Sequence, residues 1–427
     1  MSPAALHGTA CKVCRRRGRK CDRTLPTCLS CKRRGVECEG YVTRWPGVAA
    51  RGKLAGQSIP VAASNSIHGS RTGAGHVSRG RHVSDGVGRN RYFQYVLPLV
   101  DTVPPIRYAI AASSASHIAA RTLDAVLDQK SLSLRVRATH LLRERLNDPV
   151  LPTDEATLAS IVMLAQLDMC SGDCFEFETH LKAAVGIIRD RQVDSARSRY
   201  FFEQRLAWLD IIISTTSTRL PYFTVEELKT ALGRFLSHGK REWSYDVFPC
   251  PVDLCEMLVD ISMLHKMQSN SAFVSQGALE KAECLMSRLR RMSPPQQELD
   301  GPREHMIEAW RLGIMAYAQR LFPHVERGDD TGTQTLVSQV LEHAERIPPA
   351  TSWSYSLLWP IFQVGVALDA QALEEKAWIR SRLNTALRAV GCRHFSNALE
   401  ALEYVWKDHG RRGSSAIDVF GRTIMLG

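Results

Sequence analysis

Apolar side chains recur every three or four residues in most of the last three quarters of this 427-residue chain. That period matches the turn of an α-helix, so each such segment predicts a helix with a buried face. The clearest sets are Leu158, Ile161, Val162, Ala165 and Met169; Leu279, Ala282, Leu285 and Leu289; and Leu336, Val340, Ala344 and Ile347. Alternating β-branched runs long enough for a sheet are missing from the sequence. We therefore predict a large all-α domain of about a dozen helices.

Helix-breaking residues divide this pattern into segments. The main breaks are Asn147-Asp148-Pro149, Pro221, Pro294-Pro295, Gly301-Pro302 and Pro348-Pro349. Such clusters are typical of the loops between helices. The longest apolar stretch, around Leu357 to Leu368, is interrupted by Pro360 and Gln363. It is too short to span a bilayer, so we expect no membrane partner.

The first 95 residues lack the helical period. Residues 46–91 are rich in Gly, Ser, Arg and His, and Leu54 is their only leucine. Such a composition cannot form a core, and it lacks the apolar heptads of a coiled coil. We predict three parts: a small domain at 1–45, a flexible basic linker at 46–95, and the helical domain at 96–427.

Six cysteines in the small domain form two copies of one spacing. The copies are Cys11-x2-Cys14-x6-Cys21 and Cys28-x2-Cys31-x6-Cys38, seventeen positions apart. A segment this short cannot bury enough apolar surface to fold unaided, so disulfides or metal must hold it. Residues Met1 to Ala10 show no secretory pattern. We therefore expect reduced, metal-binding cysteines.

The duplication favours two zinc ions over one. A single four-cysteine zinc ribbon would leave Cys21 and Cys38 idle, although they occupy equivalent places in the two copies. Two tetrahedral zinc ions need eight ligand positions, and six sulfurs supply eight only if two of them bridge. The symmetric choice gives Cys11 and Cys28 to both ions. The remaining ligands are then Cys14 and Cys21 for one ion, and Cys31 and Cys38 for the other.

Positive charge is concentrated around these cysteines. Residues 1–95 contain 18 Lys and Arg against 4 Asp and Glu, whereas residues 96–427 contain 37 against 40. A polyanion is the natural partner of such a segment. The basic run of the first copy is Arg15, Arg16, Arg17, Arg19 and Lys20; the second has Lys32, Arg33 and Arg34, followed by Val36 and Glu37. Each run predicts a short helix that ends at a left-handed glycine.

The small domain resembles the fungal Zn2Cys6 binuclear-cluster transcription factors. The resemblance covers Cys11 to Cys38 and includes the arginine run after Cys14, Lys20-Cys21-Asp22, and Pro26 between the halves. It implies two Zn²⁺ ions per chain and recognition of CGG-like triplets in double-stranded DNA. The alternative is a small metal-stabilised domain that does not bind nucleic acid.

The resemblance also implies roles for the first basic run, because the end of the family's first helix enters the major groove. Arg15 and Lys20 correspond to phosphate contacts. Candidates for base contacts are Arg16, Arg17 and Arg19. Gly18 stands where many members carry a base-contacting lysine, so which residue contacts the bases stays open.

The helical segment resembles the second type of fungal-specific regulatory domain, in the branch that includes acriflavine-sensitivity regulators. The local matches are Arg107 to Ala119, His180 to Ile188 and Arg205 to Asp210. We predict that His180 is a structural histidine on a half-buried helix. The six later cysteines are expected to be buried structural thiols without histidine partners, and the Trp and Phe residues to be core.

Together these features predict a nuclear, sequence-specific, zinc-dependent regulator of RNA polymerase II genes. Its genes would be metabolic, secondary-metabolite or drug-response genes. Expected partners are DNA, the transcription machinery and a second copy joined through the helical domain or on DNA. We predict that it is not an enzyme, since G-x-S-x-G, H-E-x-x-H and Walker motifs are missing. Two alternatives stay open: a helical domain that senses a small molecule, and an enzyme hidden in the helical half.

Overall fold

A computed structural model describes residues 10–23, 28–36, 38, 91–174, 176–190, 197–233, 236–237, 240–241, 250–268, 275–292, 301–323, 330–349, 353–407 and 424–426. The chain divides into two compact units, residues 1–81 and 82–427. Most of the linker predicted at 46–95 lies outside the described residues and stays a prediction. The described helices of the second unit begin at Arg91, shortly before the predicted end of that linker.

The first unit contains two short helices, α1 (Lys12–Arg16) and α2 (Leu29–Lys32). The second unit contains α3 (Arg91–Tyr95), α4 (Pro104–Thr122), α5 (Ala125–Leu146), α6 (Glu155–Ser171), α7 (Phe177–Asp190), α8 (Arg197–Ser214), α9 (Val225–Gly233), α10 (Val252–Gln268), α11 (Gln276–Arg291), α12 (Pro302–Leu321), α13 (Asp330–Glu345), α14 (Trp353–Ser356), α15 (Leu358–Val366), α16 (Leu373–Val390) and α17 (His394–Lys407). Two 3₁₀ turns lie at Leu97–Leu99 and Leu151–Thr153.

Strand structure among the described residues is limited to one two-residue ladder. Strand β1 (Leu236–Ser237) pairs antiparallel with β2 (Lys240–Arg241). Such a ladder adds little stability, because a short isolated hairpin buries almost no apolar surface. The predicted fold class, a small cysteine cluster followed by a large helical domain, is confirmed.

The helix boundaries follow the breakers in the sequence. Helix α5 ends at Leu146, directly before Asn147-Asp148-Pro149, and α12 begins at Pro302, where the missing N–H costs no hydrogen bond. The carboxylate of Asp154 caps α6 by accepting from the Thr157 N–H at 2.7 Å. The same helix ends at Gly172, whose φ of +73° lies in the left-handed region.

Helix α6 lies in the centre of the helical unit. Thirteen of its seventeen residues are buried, so the helix is covered on nearly all sides and not only on the face that carries Leu158 and Ile161. It packs against α4, α5, α7 and α8. A buried helix of this kind needs partners for its polar residues. Asp168 has them in Arg135, at 2.8 Å, and His180, at 3.2 Å.

Aromatic side chains form a further part of the same core. The rings of Trp310 and Trp359 stack in parallel with centroids 4.9 Å apart, and Trp208 lies 5.5 Å from Trp310. The indole N–H of Trp310 donates to the carbonyl of Ser356, and that of Trp359 donates to the hydroxyl of Thr215. The prediction that the tryptophans form core is confirmed for these three residues.

Pro360 occupies the third position of α15, where its missing N–H is tolerated in the first turn. Helix α15 is completely buried, including Gln363. Of the helices described, none combines the length and the apolar character required to cross a lipid bilayer.

Candidate metal centre and nucleic-acid interface

Each half of the first unit is built as the same short helix with the same N-terminal cap. The sulfur of Cys11 accepts from the Cys14 N–H at 3.3 Å, and the sulfur of Cys28 accepts from the Cys31 N–H at 3.2 Å. A side chain that accepts from the first turn satisfies a backbone donor that has no partner in the helix. The first cysteine of each copy therefore caps its helix, and its sulfur lies against the turn that leads to the second cysteine of the same C-x2-C pair.

The two helices also end alike. Gly18 and Gly35 have φ values of +62° and +61°. Beyond them, the Arg19 N–H donates to the Cys14 carbonyl at 2.9 Å, and the Val36 N–H donates to the Cys31 carbonyl at 3.2 Å. This backbone pattern closes a helix at a left-handed residue. The predicted glycine ends are confirmed, and the seventeen-residue duplication is a structural one.

The cysteine sulfurs meet between the two helices. Cys11 Sγ lies 3.6 Å from Cys28 Sγ and 3.7 Å from Cys31 Sγ. Cys14 Sγ lies 3.8 Å from Cys28 Sγ and 3.7 Å from Cys31 Sγ. Four sulfurs at 2.3 Å from one zinc ion would be about 3.8 Å apart, so separations of this size suit thiolates that share an ion. The Cys14–Cys31 contact is the exception, because these two sulfurs share no group of four ligand atoms that could hold one ion.

Two groups of four ligand atoms can be drawn among the six sulfurs, with every atom of a group within 4.8 Å of the others. The groups are Cys11, Cys14, Cys21 and Cys28; and Cys11, Cys28, Cys31 and Cys38. Both include Cys11 and Cys28, the two residues that the sequence predicts as bridges. Cys21 and Cys38 each complete one group, so a single ribbon site that leaves them idle fits this geometry less well. The donor set fits two thiophilic dications.

Without a cation, this packing opposes ionisation of the inner thiols. Burial raises the pKa of Cys11 to about 12, and burial also raises the pKa of Cys14 and of Cys28. For Cys21, burial is outweighed by the backbone N–H groups of Cys11 and Arg23, which lower the pKa to about 7. A bound dication would compensate the thiolate charge, so metal binding would release protons.

Asp22 connects the two halves. Its carboxylate accepts from the backbone N–H of Leu29 at 2.9 Å and of Ser30 at 2.5 Å. These donors lie in the first turn of α2, where a negative charge is stabilised. In the sequence, Asp22 is recognisable only as part of a family motif. Its capping role could not be predicted, because the contacts span seven and eight residues and the two copies differ at that position.

Both basic runs are exposed. All six residues from Arg15 to Lys20 are exposed, and so are Lys32, Arg33 and Arg34 in the second copy. Exposure therefore does not distinguish the two halves. What distinguishes them is charge, because Val36 and Glu37 stand where the first copy has Arg19 and Lys20. The two copies share one backbone structure but differ in charge, and the first copy carries more positive charge. The first copy is therefore favoured as the side that faces a polyanion.

The later cysteines only partly match their prediction. Cys170, Cys174, Cys250, Cys255 and Cys392 are buried, but Cys284 is exposed. The expectation that these thiols lack histidine partners is wrong. His394 Nδ1 lies 2.6 Å from Cys392 Sγ. Cys392 and His394 are only two positions apart in the sequence, so this pair could have been expected from it.

The three segments that carry the family resemblance in the second unit lie in α4, α7 and α8. Two buried polar residues of the α7 and α8 segments, His180 and Asp210, have structural partners. His180 lies beside Asp168, in agreement with its prediction as a structural histidine. The buried carboxylate of Asp210 accepts from Arg219 at 3.0 Å and from the Phe223 N–H at 2.9 Å.

Two family descriptions match this chain. "Fungal Zn(2)-Cys(6) binuclear cluster domain" matches residues 9–45, and "Fungal specific transcription factor domain" matches residues 77–419. A curated relative, "Acriflavine sensitivity control protein acr-2" from Neurospora crassa, is 23% identical over 372 residues. That alignment covers 74% of this chain and 58% of the relative, so the chain spans less than two thirds of the relative's length. No solved structure matches the chain.

The second of these matches covers most of the chain, and the first covers all six clustered cysteines. The resemblance inferred from the cysteine spacing and the helical segments is thereby confirmed. The chain belongs to the family of fungal transcription regulators that join a Zn(2)-Cys(6) cluster domain to a fungal-specific transcription factor domain.

Proposed function

We propose that this protein is a zinc-dependent, sequence-specific DNA-binding regulator whose cluster holds two Zn²⁺ ions bridged by Cys11 and Cys28. One observation carries the proposal: the six sulfurs form two overlapping groups of four that share those two residues. The other ligands are Cys14 and Cys21 for one ion and Cys31 and Cys38 for the other. The ions fix the positions of α1 and α2, since so few apolar residues are buried between the helices.

Zinc content and cysteine variants test this assignment. The purified full chain should contain two zinc ions. Cys11→Ser should lower the content more than Cys14→Ser, because the bridging sulfur serves both ions. Cys284→Ser is the matched control, since this thiol is exposed and lies outside the cluster. One zinc ion in the wild-type chain, or normal DNA binding by Cys11→Ser, would contradict the binuclear assignment.

For the DNA interface, we propose that the first basic run approaches the major groove. Arg16, Arg17 and Arg19 are the candidates for base contacts, since an arginine fork can donate two hydrogen bonds to guanine. Arg15 and Lys20 would contact phosphates. The support is the exposure of the whole run beside the sulfur cluster. We further propose CGG-like triplets as the recognised sequence.

Selection from randomised duplexes tests the sequence preference. The zinc-loaded full chain should enrich CGG-like triplets, and the Cys11→Ser chain should enrich nothing above background. Enrichment of an unrelated motif would contradict the triplet assignment while leaving zinc-dependent binding intact.

We propose a nuclear location and a regulatory, non-enzymatic role at RNA polymerase II genes. The match of residues 77–419 to a transcription factor domain supports this role. The relative's name refers to acriflavine sensitivity, so we propose drug-response or metabolic genes as targets. A fluorescent fusion should accumulate in the nucleus. Transcript profiles with and without the protein, in the presence of acriflavine, would identify the controlled genes, and unchanged profiles would contradict the proposal.

Paired triplets require two cluster domains. We propose that any dimer forms through the helical domain or on DNA, since the linker sequence offers no heptads. Sedimentation of the full chain with duplexes of different triplet spacing tests this assembly. A single rigid spacing would argue for a dimer element next to the cluster.

A further inference from the structure

Exposed apolar side chains are concentrated around the turn between α4 and α5. Among the residues that the structure describes, thirteen large apolar side chains are exposed, and five of them fall between positions 118 and 136. The five are Ile118 on α4, Leu123 in the turn, and Val126, Leu132 and Val136 on α5. Single exposed apolar residues are ordinary on a protein surface, whereas a local concentration indicates an interaction site.

One side of α5 is occupied by the helical unit itself. Its buried residues are Ser131, Arg135, Ala138 and Leu142, which recur every three or four positions. The Ser131 hydroxyl donates to the Ala112 carbonyl of α4 at 2.8 Å, and the Arg135 guanidinium pairs with Asp168 of α6 at 2.8 Å. These contacts fix which side of α5 faces inward, and the other side is left at the surface.

The outward side of α5 carries a continuous row of exposed residues. At about 100° of rotation per residue, the row falls within an arc of about 120° opposite the buried residues. Its members are Val126, Gln129, Leu132, Ser133, Val136, His140 and Arg143, all of which are exposed. The row is about 26 Å long. A straight row of this length on one helix suits the side of a second helix better than it suits a small molecule.

Positive charge borders this row. Lys130 and Arg137 lie along one edge and Arg143 lies along the other, and all three are exposed. The two acids of α5 are already paired: Asp128 with Arg393 at 2.9 Å, and Glu144 with His140 at 3.3 Å. The outward side is therefore apolar along its middle and positive along its edges.

Leu123 adds an unfavourable backbone to an unfavourable exposure. It ends α4 with a φ of +55°, in the left-handed region. Glycine occupies four other positive-φ positions at described helix ends, which are Gly18, Gly35, Gly172 and Gly391. The left-handed conformation costs a leucine energy that it does not cost a glycine. Because Leu123 is 90% exposed, packing within the chain does not offset that cost. A strained residue of this kind is typical of a contact site.

We propose that the α5 face, formed by Leu123, Val126, Lys130, Leu132, Val136, Arg137 and Arg143, is the docking surface for a partner protein that presents an amphipathic helix with acidic edges. Apolar residues of that helix would cover the row, and its carboxylates would lie beside the three cations. A second copy of α5 would instead place cations against cations, which disfavours this chain as its own partner. The α5 face is separate from the zinc cluster and from the proposed DNA contacts.

Two fluorescent synthetic peptides test the proposal on the zinc-loaded full chain. Both carry leucine at the a and d positions of three heptads. The first has glutamate at the e and g positions, and its twin has lysine there. Both are used at concentrations at which sedimentation shows a monomer. In anisotropy titrations the glutamate peptide should bind, and the lysine peptide should bind at least roughly tenfold more weakly, because its charges oppose those of the α5 face.

Substitutions on the outward side locate the binding. Leu132→Asp and Arg137→Glu should each weaken the glutamate peptide by roughly tenfold, and Arg137→Glu should strengthen the lysine peptide. Leu373→Asp is the matched control, because Leu373 on α16 is as exposed as Leu132, at 69% against 56%. It should bind the glutamate peptide as the wild type does. Since all three positions are at the surface, zinc content, DNA binding and unfolding temperature should stay unchanged.

Leu123→Gly separates a binding role from a structural one. Glycine adopts the left-handed conformation without strain, so this variant should unfold at the wild-type temperature or above it. It should nevertheless bind the glutamate peptide more weakly, because an apolar contact is lost. A residue that served only the fold would give the reverse result, with a lower unfolding temperature and unchanged binding.

Three results would overturn the proposal. The first is equal binding of the two peptides, or equal binding of the glutamate peptide by Leu132→Asp and Leu373→Asp. The second is binding of phosphatidylserine vesicles that Leu132→Asp abolishes, in a chain that ignores the glutamate peptide, which would assign the α5 face to a lipid surface. The third is a wild-type dimer that Leu132→Asp dissociates in sedimentation, which would assign the face to a second copy.

Discussion

The two units of this protein bury different kinds of residue. In the part of the first unit that is described, the buried cluster consists of Cys11, Val13, Cys14, Cys28 and Cys31, so four of its five members carry sulfur. In the second unit, the largest fully buried side chains are Trp208, Trp310 and Trp359. One unit is organised around potential metal ligands and the other around apolar surface.

This difference shows two ways to offset the conformational entropy of folding. Apolar burial contributes in proportion to area, so it favours a long chain that folds into many packed helices. Coordination contributes several strong bonds at one point, so it suits a short segment. The first unit should therefore depend on an external component, and the second unit should not.

Removing metal should produce the largest difference between the units. A strong chelator should unfold residues 10–38 and abolish DNA binding, because a structural zinc ion contributes about 10–16 kcal/mol to the folding of a small domain. The thermal unfolding of the helical unit, followed by circular dichroism of the full chain, should not change. Restored DNA binding after zinc is added back is the control. Specific DNA binding by the chelated chain would show that the first unit folds without metal, contrary to this prediction.

Truncating the aromatic core should destabilise the helical unit and leave the first unit unchanged. Trp310→Ala should destabilise the helical unit by about 3–5 kcal/mol, because it leaves a cavity beside the indoles of Trp208 and Trp359. Zinc content should stay at the wild-type value. Trp310→Phe is the milder comparison, since it keeps an aromatic ring but loses the hydrogen bond to Ser356. Denaturant titration measures both, and equal losses for the two variants would show that ring volume is unimportant there.

Local patterns explain why so much of this fold could be predicted. The six cysteines and the glycines at 18 and 35 determine the structure of residues close to them in the sequence. Their regular spacing therefore indicates the two matching halves without a structure. The helices likewise follow from a period of three or four residues. The bridging role of Cys11 and Cys28 required one further argument, the count of ligand positions, and the overlapping sulfur groups support it.

Long-range pairing explains what the sequence could not show. Cys170 and Cys392 become neighbours only because α6 and the turn after α16 pack together. His117 lies on a third element, α4, and its ring nitrogen is 3.0 Å from the Val390 carbonyl oxygen. No local period indicates these relations. The exposed position of Cys284, in contrast, follows from the helical period, because the buried residues Ala282 and Met286 lie on the opposite face of α11.

Within the first unit, charge removal should separate the two copies. Arg17 and Arg34 occupy equivalent places seventeen residues apart, which makes them a matched pair. Arg17→Ala should weaken binding to the preferred duplex by about 1–3 kcal/mol if its side chain contacts guanine. Arg34→Ala should cost much less. Titration of each variant with specific and random duplexes measures both effects, and equal losses would show that the copies share the DNA contacts.

The smallest expected effect comes from a single helix cap in the second unit. Asp154→Ala should cost about 1 kcal/mol, because it removes the acceptor for the Thr157 N–H and the ion pair with Arg145. Asp154→Asn keeps an acceptor at the cap and should recover much of the loss. Thermal unfolding measures the difference, and DNA binding should be unchanged in both. A loss of several kcal/mol would show that the cap supports the buried helix α6 as a whole.

The sharing of Cys11 and Cys28 between both sulfur groups has a consequence for how the protein responds to metal supply. The first ion to bind would position two of the four ligands of the second, so the two binding events are thermodynamically linked. Loading would then be cooperative, and limiting zinc would give a mixture of fully loaded and metal-free chains with few intermediates. A gradual change in zinc would alter the number of competent regulators in a cell and leave the affinity of each one for DNA unchanged.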